Sequence, residues 1–103
     1  MTIDRVYLQQ RVFELLALQI RLLRENRGWS QAELAERAGL SCRAVQYAED
    51  AVVGRVSVRT LKKIATAFDV ALILRFTSWS DLLRWLAVID AWLATPSYEE
   101  EKP

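Results

Sequence analysis

Ser30–Asp50 reads SQAELAERAGLSCRAVQYAED, and the fold turns on these residues. Ser30 is a capping side chain, and Glu33 stands three residues later, where a capping box places its acid. The helix opened there covers 31–38 and turns Leu34, Ala35 and Ala38 inward. Gly39 ends it, because glycine takes up the left-handed backbone of a tight turn without steric cost. Leu40 follows as an apolar plug, and Ser41 caps a second helix over about 42–50. Counted from Gln31, the small Ala35, Gly39 and the apolar Val45 fall at positions 5, 9 and 15. Two short helices cross steeply only with a small residue at the contact, a tight turn, and an apolar residue facing back. This spacing supplies all three and is that of a helix-turn-helix.

Upstream, apolar Val6, Phe13, Leu16, Ile20 and Leu23 recur with Arg and Gln in the gaps. That period is helical over 3–26, as one long helix or as two that break near Gln10. Asn26-Arg27-Gly28 is a stop signal, with Gly28 suited to the left-handed position after the helix. Downstream, 51–56 is a loop around Gly54, and Ser57 caps a helix with Leu61, Ile64, Ala65 and Phe68 on one side. Asp69 interrupts, and VALILRF (70–76) is short, branched and aromatic, which predicts a β-strand. A lone strand leaves its edges unpaired, so its simplest partner is its copy in a second subunit. Ser78 or Ser80 caps a last helix to about Ala94, Thr95-Pro96-Ser97 stops it, and the acidic end is expected to be disordered. The chain is therefore expected to be mostly α: a helix-turn-helix bundle (1–69), a strand and helix for dimerisation or partner binding (70–95), and a tail (96–103).

The chain has 103 residues, 52 % of them hydrophobic, enough for one domain with a real core. One cysteine excludes an internal disulfide, and the absence of histidine leaves a zinc site little to build from. No catalytic constellation, phosphate-binding glycine loop or cofactor motif is visible, so no enzyme reading, cofactor or metal is assigned. No signal-peptide pattern appears and no apolar run approaches the roughly 20 residues that span a bilayer. The expected location is the cytoplasm, away from membranes. The net charge of +1 hides an asymmetry: residues 1–76 carry 12 Arg/Lys against 8 Asp/Glu, and 77–103 carry 2 against 5. Positive charge lies with the helix-turn-helix, acidity with the end of the chain.

From IRLLRENRGWSQAELAERAGLS through the AED after the second helix to TLKKIATAFDVAL, the chain resembles the Xre/Cro-type helix-turn-helix regulators of lambda-repressor-like fold. The subgroup with an elongated loop and a DVAL-x-x-RF segment is the most similar. Where the family often has Asn-Gly after the glutamate, this chain has Asp50-Ala51, with a loop about one residue longer. The resemblance implies double-stranded DNA as the partner and a role for each matching position. Cys42, Arg43, Ala44, Gln46 and Tyr47 would face the major groove. Arg43 suits guanine O6/N7, and Gln46 suits adenine or a phosphate. Gln31 and Ser41 would meet the DNA backbone, with Arg27, Arg55 and Arg59 supplying charge that positions without specifying.

The segment after Asp69 places Leu72, Leu74, Phe76, Trp79, Trp85 and Trp92 as interface residues, although a core role for the Trp-rich helix fits the pattern equally. A symmetric dimer suits a palindromic site, because it sets two reading helices about 34 Å apart. The expected function is a homodimeric transcriptional repressor. The alternatives are an antitoxin that binds DNA and a toxin protein, and an interaction module that has lost DNA binding.

Overall fold

The computed structural model describes residues 4–52, 56–89 and 99. Five helices occur among them: α1 (Arg5–Asn26), α2 (Gln31–Ala38), α3 (Cys42–Ala48), α4 (Val58–Phe68) and α5 (Trp79–Leu86). Of the two readings of the first segment, the single long helix is correct; α1 runs unbroken through Gln10.

Side-chain oxygens start every one of these helices. Asp4 Oδ1 accepts from the Val6 N–H at 2.9 Å. Ser30, Ser41 and Ser57 each accept from the N–H three residues on at 3.1 Å, and Ser78 does so at 3.2 Å. Each cap satisfies a donor the helix itself leaves unbonded, a contribution of about 1 kcal/mol. The capping box at Ser30 closes on one side: the Glu33 carboxylate bonds Arg37 instead of turning back to Ser30.

The ends of α1, α2 and α4 share one device. Trp29 N–H donates to Arg24 C=O at 3.1 Å, Leu40 N–H to Ala35 C=O at 2.8 Å and Val70 N–H to Ala65 C=O at 3.1 Å. Each such bond wraps a residue in the left-handed region: Gly28 (φ 71°), Gly39 (φ 67°) and Asp69 (φ 59°). Aspartate is among the few non-glycine residues that visit this region.

The core is built where α2 packs on α3 and α4. Ile20 and Leu23 of α1, Leu34 and Ala35 of α2, Val45 and Ala48 of α3, and Leu61, Ile64 and Phe68 of α4 form one buried cluster. Leu34 and Val45 are completely buried. Burying a Leu, Val or Phe side chain contributes about 1.5–3 kcal/mol, so this cluster carries the bundle. Leu40 packs against it as expected, as do Val56 and Val70. Trp29 stacks on Phe68 (centroids 5.7 Å apart) and carries the Arg37 guanidinium 4.3 Å from its own centroid.

The strand expected over 70–76 is not there. Among the described residues no strand forms, and the backbone of 71–77 makes no backbone hydrogen bond. A ladder needs two strands, and the described residues offer this segment no second one to pair with. Val70 and Leu72 still lean on the core, while Ile73, Leu74 and Phe76 stand in solvent. Ser78, not Ser80, caps α5. Leu82 is the buried residue of α5, whereas Trp79 and Trp85 are 44 % and 38 % exposed, so the helix lies on the body of the protein by a narrow edge. Trp92, Arg55 and the tail over 96–103 lie outside the described residues.

Candidate nucleic-acid interface

A helix of seven residues has room for one inner and one outer face. In α3 the inner face is Val45 and Ala48, both in the core cluster. This spacing of three leaves Cys42, Arg43 and Gln46 exposed, with Ala44 and Tyr47 half-buried at the margin. The five positions assigned to base reading are therefore brought together on and beside one outward strip. Two contacts one turn apart order it. The Arg43 guanidinium lies 5.8 Å from the centre of the Tyr47 ring. Gln46 Nε2 donates to Cys42 Sγ at 3.9 Å. Tyr47 is half-buried because its ring helps line a small recess with Phe13, Leu16 and Val56.

An ion pair joins the end of α3 to α1. Arg24 of α1 grips Glu49, the residue after α3, with Nε to Oε2 at 2.7 Å and Nη2 to Oε1 at 3.0 Å. The side chains are 13 % and 5 % exposed. A third Arg24 nitrogen, Nη1, donates to Trp29 C=O at 2.9 Å. The hydrogen bonds it donates to Glu49 outweigh the cost of burial and raise the guanidinium pKa above its ordinary value. Gln31 Nε2 also donates to Glu49 Oε1, at 3.2 Å, so one carboxylate ties together α1, α2 and the end of α3. A buried charge is tolerable only when so paired.

The remaining backbone-contact positions divide. Gln31, at the first residue of α2, keeps its carbonyl oxygen and one amide hydrogen for a ligand after bonding Glu49. Ser41 is exposed, its oxygen engaged by the Ala44 N–H and its hydroxyl hydrogen free to turn outward. Arg59 is exposed in the first turn of α4. Arg27 is used inside the protein: Nη2 donates to Phe68 C=O at 2.8 Å and Nη1 to Leu23 C=O at 3.2 Å. Its guanidinium also lies 5.0 Å from the Phe68 ring centre, so it ties the end of α1 to the end of α4.

Sequence reasoning missed Arg24. Its signal was a charge in an apolar phase, because Ala17, Ile20 and Arg24 share one face of α1 and the first two are buried. A cation at such a position has to find an anion.

Beside α3 lies an open polar groove of about 460 Å³, lined among others by Arg21, Glu25, Gln31 and Gln46. Arg21 Nε donates to Glu25 Oε1 at 2.8 Å, and that bond holds the Glu25 carboxyl below the ordinary carboxylate range. Among the described residues no group of His, Cys, Asp and Glu is arranged to hold a metal ion, and no helix is long and apolar enough to cross a membrane.

A family model described as helix-turn-helix matches residues 20–74, which take in α2, α3, α4 and the end of α1 that carries Arg24. No curated protein and no solved structure matches the chain.

Proposed function

The chain belongs to the helix-turn-helix family HTH_3, whose members are DNA-binding transcriptional regulators, and from that premise we propose that it is a homodimeric repressor reading a short palindrome. The observation that carries the reading is the outward strip of α3, a set of polar side chains on a helix that Val45, Ala48 and the Arg24–Glu49 pair hold rigid. Arg43 grips a guanine edge, Gln46 reads the neighbouring pair, and Tyr47 supports the Arg43 guanidinium from below. Gln31, Ser41 and Arg59 meet the sugar-phosphate backbone and fix the register.

The dimer is proposed from the segment that follows α4. Phe76 is 105 % exposed and Ile73 80 %, next to an unbonded stretch of backbone and the partly exposed rings of Trp79 and Trp85. Leu72 and Leu74 extend the same segment. Apolar surface of this kind marks an interface, and a second copy of the chain offers both the side chains and the backbone to match it. A foreign protein on that surface is the antitoxin reading, and a chain that stays monomeric until such a partner is added would replace the homodimer with it.

Selection of bound sequences from random DNA identifies the site. Arg43→Ala combined with Gln46→Ala is then expected to cost about 1–3 kcal/mol per lost base contact on that site. On unrelated duplex the same variant should bind nearly as the wild type does, since the backbone contacts remain. Equal affinity of the double variant for the selected site would reject α3 as the reading element.

A further inference from the structure

The groove beside α3 contains a charge pair with no part in the core or in the reading strip. Arg21 and Glu25 lie four residues apart on α1, their side chains 61 % and 47 % exposed. They line the same groove as Gln46 and Gln31, the first proposed above for a base and the second for a phosphate. A duplex seated on α3 in that way carries its backbone across this groove.

The charges there make the pair consequential. Among the described residues Arg21 and Arg24 face Glu25, Glu49 and Asp50, two cations against three anions. Arg24 is fixed on Glu49, and Asp50 Oδ1 caps the Val52 N–H. Arg21 is free to swing, because an exposed pair with the arginine four residues before the glutamate is the weaker orientation on a helix. A phosphate offers the same guanidinium two parallel charge-assisted bonds.

We propose that Arg21 leaves Glu25 for a DNA phosphate when the duplex binds, and that Glu25 competes with the DNA for it. Affinity is thereby set on all sequences alike, without any contact to a base. This inference rests on the α3 reading face.

The test is a double-mutant cycle in DNA affinity with the full chain: Arg21→Gln, Glu25→Gln and both together, on the selected site and on random duplex, across a salt series. Loss of one phosphate contact is expected to reduce the slope of log affinity against log salt by about 0.9 in Arg21→Gln. Arg21→Lys, which keeps the charge, should retain the slope. Glu25→Gln should tighten both duplexes about 2-fold, the size of an exposed helical ion pair. That gain should vanish when Arg21→Gln is also present. An unchanged slope in Arg21→Gln overturns the assignment, and so does a Glu25→Gln gain that survives in the double variant. Thermal melts should match the wild type throughout; a variant that melts lower would show the pair to be structural and overturn the assignment as well. A wild-type chain that binds neither duplex overturns the α3 reading itself, whereas the other outcomes leave that reading standing.

Discussion

Glu49 is the residue on which the reading unit hangs. Its carboxylate is nearly enclosed and accepts from Arg24 twice and from Gln31 once. Removing it leaves the Arg24 guanidinium buried without its anion, so Glu49→Ala should destabilise the fold by about 3–5 kcal/mol in urea unfolding. Arg84→Ala is the contrast. Its pair with Asp81 is 79 % and 55 % exposed, and its loss should cost less than about 1 kcal/mol. Equal losses in the two variants would mean that the enclosed pair holds nothing. Glu49 belongs to the AED run that carries the resemblance, but its partners were invisible in the sequence. Arg24 lies 25 residues away in the chain and Gln31 lies 18 away, distances at which only the folded helices decide who meets whom. Arg27 escaped for the same reason: a surface-seeming arginine found a carbonyl 41 residues off.

At the scale of elements the sequence was far more legible, because caps and stops are local chemistry. Ser30, Ser41, Ser57, Gly28 and Gly39 each act within three to five residues of themselves, and each does what its type suggests. The strand over 70–76 failed because its pattern describes side chains, whereas a strand also requires a neighbour. The turns make a clean measurement possible. A Cβ added at Gly28 or at Gly39 meets nothing within 4 Å, and both residues have positive φ. Gly28→Ala and Gly39→Ala should therefore each cost about 1 kcal/mol, from backbone conformation alone. A loss several times larger at Gly39 would mean that the turn angle, and with it the seat of α3, had also moved.

For the whole molecule the question is what covers the exposed segment after α4. Phe76 makes no demand on the fold, being fully in solvent, so Phe76→Asp should leave the melting temperature of the bundle nearly unchanged. It should also convert the proposed dimer to monomer, read by sedimentation equilibrium, and weaken binding to a palindrome far more than to a half-site. A wild-type chain that is monomeric at high micromolar concentration, alone and on DNA, would rule the homodimer out.

The division of labour in α3 has an evolutionary consequence. Val45 and Ala48 keep the helix in place, and the exposed Cys42, Arg43 and Gln46 contribute almost nothing to keeping the chain folded. Substitutions at exposed positions of this kind usually change stability by less than about 0.5 kcal/mol. On the proposed reading of bases by these positions, a duplicated gene is free to drift at three codons and acquire a new address on the chromosome, while the protein that carries the address stays the same shape.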